Sequence, residues 1–490
     1  MGFYSQRLRT ALREADFTVD AVVDRIGADG QAGLGRNSTV PADFALADAL
    51  DPLAVLIRLF ILQQAVPAHV SGDVLDVPGL LAAGLLRRSG DGVRAVVDIR
   101  PYASPDDGAD GYLVSDPVPG LDTEVTPVRP DFVLGPSPAS LTLTQRTNRT
   151  PVGSARDLGT GGGVQALHLA RHCGRIVGTD LNPRALELAR LSAALSGIEV
   201  DLRLGSLYEP VTGEGFDLIV SNPPYVMSPP TAEASRLVYR EGAFAADGLV
   251  EQVVRGAAAH LNPGGTAQLL VNWAITWSQP WEERLAGWVR GSGLDCWVIE
   301  RERLDRYAYI ELWLADAGLN GSPRWRQEYN RWLSYFDELG IEDVGMGWIH
   351  LTNAGRTHPE LRFESWPHAV SQPVGEVLAA DRTAVDASLL PVEALLASRP
   401  VLTGVEQETI GDPGAADPRH IVLRQRQGLL RAISVGTAEA AVLGSLDGTL
   451  TLGQTLAAVA DLLELDASEL AAGMLPMIRE ALRDQFLRLG

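Results

Sequence analysis

Ala155-Arg156-Asp157-Leu158-Gly159-Thr160-Gly161-Gly162-Gly163-Val164 joins a short strand-like run to a run with helical apolar spacing. Its glycines let the backbone turn sharply and come close to a ligand. Outward from this loop the pattern alternates. Residues 155–158, 176–179, 199–204, 216–221 and 266–271 read as strands, and 164–171, 183–195 and 248–260 as helices. Such alternation is the signature of an α/β protein with a doubly wound, mostly parallel sheet. A helix at 281–291 and a strand at 294–300 continue it, and 344–351 reads as a returning strand after a helical insertion at about 302–342.

Two acids narrow the ligand. Asp157 stands at the end of the first strand, where it can face an ammonium or a sulfonium but would repel a pyrophosphate. Asp180 ends the second strand, where a carboxylate can accept hydrogen bonds from both hydroxyls of a ribose. Either acid alone would serve as an ordinary cap. Together with Gly159, Thr160, Gly161 and Gly163 they favour S-adenosylmethionine, with Leu181 following Asp180 on the same turn. The third strand ends at Ser206 and Leu207, placed to meet the edge and the face of an adenine.

The fourth strand ends in Ser221-Asn222-Pro223-Pro224-Tyr225. Each residue before a proline is pushed into an extended conformation, so Asn222 and Pro223 are both held stiffly. The prolines carry no N–H, which leaves the corner rich in acceptors. The Asn222 side-chain oxygen and the Pro223 carbonyl can each take one hydrogen of an NH2 group, and Tyr225 can stack on its plane. That combination suits methyl transfer to a planar nitrogen, and Asn222, Pro223 and Tyr225 are the candidate catalytic residues. No strong general base is needed or evident.

Residues 157–163, the run Asp180-Leu181-Asn182-Pro183 with Ala185-Leu186, the stretch 216–226 and Asp247-Gly248-Leu249 resemble class I methyltransferases of the Asn-Pro-Pro-Tyr group. Within it the chain is similar to the HemK-type release-factor glutamine methyltransferases and their small-methyltransferase-domain relatives, in an actinobacterial type of layout. The resemblance covers about residues 130–300. It implies a Rossmann-like, seven-stranded sheet, S-adenosylmethionine as cofactor and a macromolecular substrate. A protein glutamine is favoured over an exocyclic base amine of rRNA, tRNA or DNA; an inactive scaffold is the third reading. Leu134-Gly135-Pro136-Ser137-Pro138 sits where HemK-type enzymes carry a Pro-Arg-Pro loop, without the arginine. Whether an activator subunit is required stays open.

The 490 residues predict several domains. These are an N-terminal helical, winged-helix-like domain at 1–103, a linker and pre-motif segment at 104–150, the methyltransferase domain at 151–375 and a C-terminal helical, winged-helix-like domain at 376–490. Helices at 52–64 and 77–86 precede an alternating run at 93–99, and one short strand is expected near 112–114. Beyond about residue 400 the chain reads as helical, with Thr451 and Gln454 forming one capping box and Asp466 and Glu469 another. The net charge is −21 and all the basic residues are arginine. Overall acidity argues against a polyanion gripped mainly through its phosphates. An arginine groove from Arg236, Arg240, Arg301, Arg303, Arg306, Arg324 and Arg326 is the counter-reading; solvated surface charge is the plainer one. The insertion's aromatic residues, Trp313, Trp325, Tyr329, Trp332, Tyr335 and Phe336, read either as core or as a lid. Cys173 and Cys296 fit no metal spacing. No stretch reads as a signal peptide or a membrane span, so a cytoplasmic protein with no metal and no membrane partner is expected.

Overall fold

A computed structural model of the chain describes residues 2–123, 128–230, 244–412 and 418–490. Met1–Thr144 with Pro151–Trp366 form one compact unit, and Gln145–Thr150 with Pro367–Gly490 form a second.

The first unit is built on one sheet. Its strands are β1 (Val152–Leu158), β2 (Cys173–Asp180), β3 (Asp201–Leu204), β4 (Phe216–Ser221), β5 (Leu261–Thr276), β6 (Asp295–Asp305), β7 (Ile341–Thr352) and β8 (Leu361–Ser365). They lie in the order β3-β2-β1-β4-β5-β7-β6-β8. β1 to β5 run parallel to their neighbours, while β7 enters antiparallel between β5 and β6. The strand order reverses at β1, and a crevice opens there beyond the carboxyl ends of the strands. An eighth strand exceeds the expected seven: β8 adds in parallel to β6 at the sheet edge. β6 also runs five residues past its expected end, because its antiparallel pairing with β7 continues to Asp305.

The helices follow from local chemistry. α1 (Val164–Leu169) starts at Gly163, whose φ of +91° suits only glycine. α2 (Pro183–Ser196) has Asn182 as N-cap, Pro183 in its first turn and Gly197 in the left-handed conformation at its end. α3 (Gly248–Ala257) and α4 (Trp281–Val289) cover the other half of the sheet. The insertion between β6 and β7 consists of α5 (Arg306–Asp316) and α6 (Trp325–Leu339). Asp305 caps α5 through the Tyr307 and Ala308 N–H groups, and Gly340 closes α6. The aromatic residues of the insertion form mainly a core: Tyr309, Trp332 and Phe336 are buried together with Val226, Met227 and Val344.

Before β1, helices from Gly2–Glu14 to Pro52–Leu56 lead into a three-stranded sheet of Val66–Pro67, Gly92–Ala95 and Leu86–Ser89. The run expected as one strand at 93–99 is divided between Gly92–Ala95 and Asp98–Ala103, and the latter pairs with Asp110–Ser115. Asp110–Ser115 is stitched to α2. The Tyr112 and Val114 N–H groups donate to Ser196 Oγ and Ser192 Oγ, both at 2.9 Å. These serines lie one helical turn apart, matching the two-residue repeat of one strand face. The N-terminal core continues into α2 through Leu188, Leu191 and Leu195.

The second unit departs from the helical expectation. A meander of Val405–Ile410, His420–Gln425 and Ala432–Val435 precedes its last helices. Val405–Ile410 is exposed along most of its length and carries no alternating apolar signal, so periodicity could not reveal it. The Thr451–Gln454 capping box is present, and Asp466 caps the final helix through the Ser468 and Glu469 N–H groups.

Phe216 is fully buried at the start of β4. We expect Phe216→Ala to destabilise the first unit by about 3–5 kcal/mol, read as an earlier midpoint in its urea unfolding.

Candidate methyl-transfer site

A cavity of about 250 Å3 opens beyond the carboxyl ends of β1, β2 and β4. Its wall includes Asp157, Gly159, Thr160, Gly161, Asp180, Leu181, Ser206, Leu207, Asn222 and Pro223. Residues from Asp157 to Pro223, far apart in the sequence, therefore converge. Two proposed residues are not in the wall. Gly163 lies behind the loop, where its positive φ starts α1. Tyr225 follows the wall residue Pro224, and its ring makes a T-shaped contact with Trp313 of the insertion at 6.5 Å between centroids.

The loop after β1 is bent by Gly159 and Gly161, both at positive φ. Gly159 and Thr160 each donate a backbone hydrogen bond to the Thr179 carbonyl of β2. The loop is thereby pinned to the neighbouring strand rather than left to fluctuate. Gly162 is required for space as well: a Cβ there would lie 2.9 Å from the Val114 carbonyl.

Asp157 is buried and accepts a 2.6 Å hydrogen bond from Thr160 Oγ1. Burial pushes its carboxyl up to about 7, and the nearby Asp180 adds to the rise. Asp180 accepts from the Gly161 N–H at 2.9 Å and the Asn182 N–H at 2.8 Å. Burial raises its carboxyl too, against those hydrogen bonds. A carboxylate offers about four lone-pair positions, so acceptor capacity remains after these two bonds.

On the third turn, Leu207 sits at φ +44°, in the left-handed region. Arg156, fully buried on β1, donates to the Leu207 carbonyl and to Thr179 Oγ1. Its guanidinium lies 4.6 Å from the centroid of the Tyr208 ring. Burial pulls this guanidinium down to about 10.

The corner after β4 is held from below by Ser221, whose hydroxyl donates to the Leu158 carbonyl of β1 at 2.8 Å. Asn222 Oδ1 is buried and accepts no hydrogen bond from the described residues. A buried oxygen without a donor is costly, and native structures rarely leave one without a purpose.

Much of the wall comes from the expected linker and pre-motif segment, including residues 134–138, which the resemblance places at the Pro-Arg-Pro loop of HemK-type enzymes. Phe132, Val133, Leu134, Gly135, Pro136, Ser137 and Ser140 all face the cavity. Asp116 holds this segment by accepting the Val133 N–H at 2.8 Å while pairing with Arg184 of α2. Asn182 Nδ2 donates to the Asp131 carbonyl at 2.9 Å. Phe244 and Leu249 complete the wall on the far side.

Of the arginines of the proposed groove, four among the described residues have partners, and Arg326 is exposed. Arg303 pairs with Glu300, Arg306 with Asp337 and Arg324 with Glu328, while Arg301 lies over the Trp348 ring. Arg236 and Arg240 lie outside the described residues. No cluster of His, Cys, Asp or Glu among the described residues is arranged to hold a metal ion. No described helix is long and apolar enough to cross a membrane.

Comparison with known proteins agrees with the sheet and the cavity. Residues 137–286 match the model "Methyltransferase small domain", and residues 14–96 match a domain of unknown function, DUF7059. The release factor glutamine methyltransferase of Geobacter sulfurreducens is 36% identical over 159 residues, which is 30% of this chain and 54% of that protein. Its counterpart from Deinococcus radiodurans is 41% identical over 140 residues, 27% of this chain and 50% of that protein. Ribosomal RNA small subunit methyltransferase C of Escherichia coli is 32% identical over 133 residues, 27% of this chain and 33% of that protein. The chain spans about half the length of the release factor methyltransferases it matches. Residues 137–286 therefore carry a methyltransferase small domain, built on the class I methyltransferase fold and similar to the release factor glutamine methyltransferases.

Proposed function

We propose that the chain is an S-adenosylmethionine-dependent N-methyltransferase acting on the side-chain amide of a glutamine in a protein. The observation that carries this reading is Asn222 Oδ1, a buried acceptor with no donor among the described residues, in a proline-stiffened corner of the cavity wall.

The residues present fit the cofactor. Asp180 has lone pairs to spare for a ribose diol, and Leu181 and Leu207 are apolar surfaces for the two faces of a purine. Ser206 offers a hydroxyl to the base edge, and Asp157 with the glycine loop suits the cationic amino-acid end. S-adenosylmethionine, when bound, supplies a methyl group already activated on a sulfonium.

The chain's own task is to prepare the nitrogen. An amide lone pair is delocalised into the carbonyl and attacks poorly. Asn222 Oδ1 and the Pro223 carbonyl each accept one hydrogen of the amide NH2. Holding both hydrogens favours a pyramidal nitrogen and localises its lone pair. Preorganised acceptors of this kind need no reorganisation during reaction. The corner is stiffened by Pro223 and Pro224 and tied to β1 through Ser221, so the nitrogen is aligned as well as activated. Tyr225, next on the chain after the corner and in edge contact with Trp313, is the residue to stack on the planar acceptor.

An exocyclic base amine presents the same NH2 group, and the relative that methylates ribosomal RNA keeps that reading in play. The acidic chain and the carboxylate partners of Arg303, Arg306 and Arg324 favour the protein substrate.

Three outcomes test the proposal. Asn222→Ala is expected to lower kcat by about a hundredfold or more, with S-adenosylhomocysteine affinity unchanged by calorimetry. Transfer of labelled methyl into a purified peptide-release factor, compared with 30S subunits, reports the loss and identifies the acceptor class. Asp180→Ala is expected to weaken S-adenosylhomocysteine binding by roughly tenfold to a hundredfold; unchanged affinity would reject the ribose role. The third outcome concerns pH. Asp157 is raised to about 7, so its protonated form is favoured in the folded protein and its ionised form costs stability as pH rises from about 4 towards 7. The ionised form is the one that holds a cationic ligand. Cofactor affinity should therefore climb as pH rises towards about 7 and level off above it. Asp157→Asn should flatten that dependence.

A further inference from the structure

Among the described residues, two of the contacts that the insertion makes around the site end on a phenol. Tyr309 of α5 is fully buried, and its hydroxyl accepts the Met227 N–H at 3.1 Å. Met227 lies two residues beyond Tyr225, on the strand-to-corner exit that carries Asn222 and Pro223. Tyr335 of α6 accepts the Ala246 N–H at 2.9 Å through its hydroxyl. Ala246 stands between two residues of the cavity wall, Phe244 and Leu249.

The backbone at the second contact is under tension. Ala246 has φ +46°, a conformation that L-residues other than asparagine and aspartate seldom adopt. Such a residue persists only where its surroundings hold it. Asp247, next to it, is buried, accepts the Ala274 N–H of β5 at 2.8 Å and pairs with Arg284 of α4. Ala246 is thus fixed on one side by the sheet and on the other by the Tyr335 phenol.

The first contact is equally enclosed. Val226 and Met227 are buried in the insertion's own core among Tyr309, Ile310, Trp332 and Phe336. Burial raises the Tyr309 phenol, while the Met227 N–H and the side chains of Asn272 and Trp313 act the other way. The hydroxyl therefore stays protonated and accepts from Met227 as a neutral group. Arg331 of α6 reaches the same exit, donating to the Pro230 carbonyl at 3.3 Å.

We propose that the insertion is a clamp, and that Tyr309 and Tyr335 are positioning residues that hold the acceptor corner and the facing wall at a fixed separation. The proposal rests on the reading of the corner as the methyl-acceptor site. Neither phenol touches the reacting atoms; each holds a stretch of backbone that leads into the cavity wall. A shift of an ångström at an aligned site is enough to cost a large part of the rate.

The test replaces each hydroxyl and keeps each ring, with Tyr309→Phe and Tyr335→Phe in the full chain. Amide hydrogen exchange is measured at Met227 and Ala246, together with the 159–163 loop as an internal control. The clamp predicts about fivefold or more faster exchange at the matching amide and no change in the loop. S-adenosylhomocysteine affinity should stay at the wild-type value. With labelled S-adenosylmethionine and a purified peptide-release factor or 30S subunits, kcat should fall about tenfold while KM for the cofactor holds. Unchanged exchange at both amides, or a kcat within twofold of wild type, overturns the clamp. So does a fall that appears in cofactor affinity instead of kcat. A wild type silent on both acceptors counts against the function proposed above; the clamp is then judged on the exchange rates alone.

Discussion

The parallel pairing of β1 with β4 is the constraint on which the site depends. Its register sets Asp157 opposite Val220 and Leu158 opposite Ser221. That brings the glycine loop and the proline corner out of the sheet at one rim. The Ser221 hydroxyl on the Leu158 carbonyl locks the last rung. A slip of one residue would reverse the facing of every side chain on the strand. It would also separate the carboxylate that suits a cation from the acceptor that suits an amine. The long apolar strands and the helices over them serve to make that slip costly.

The same seam contains a feature that stability alone does not favour. Strands buried on both faces of a parallel sheet are ordinarily apolar throughout. Here Arg156 stands fully buried on the central strand, with hydrogen bonds to a carbonyl and a hydroxyl and the Tyr208 ring below it. A buried cation is expensive even when well bonded. What it accomplishes is local: its grip on the Leu207 carbonyl holds a leucine at positive φ beside the cavity. Asp157, one residue later, is a second buried ionisable group at the same rim. The rim thus trades core stability for a fixed arrangement of ligand-facing groups, as functional sites commonly do.

The strands of the sheet and the helices flanking them were legible because each carries its own periodicity and its own stop signals, such as Asn182 and Gly197 around α2. Asp157 and Asp180 were legible because each sits at a strand end that the pattern locates. The segment at 131–140 was legible only in part, from where 134–138 falls in the resemblance. It has no periodicity, and its role comes from distant partners, Asp116, Arg184 and Asn182, which only the fold brings near. The contact of Tyr225 with Trp313, 88 positions away, was not legible, since only the fold brings the two rings together. The meander at 405–435 stayed hidden because its first strand is exposed and charged, and the eighth strand because it adds to an edge the pattern had already closed.

The insertion leaves and re-enters the sheet at adjacent rungs, since Leu304 pairs with Val344 and Asp305 with Asp343. Everything between those rungs is an excursion whose two roots are already side by side, so its length places almost no demand on the strands beneath. A lineage can lengthen or shorten the outer parts of such a cassette while leaving the ladder untouched, so long as the residues that meet the corner after β4 stay in place. Size can then vary at the periphery while the parts nearest the sheet stay constrained.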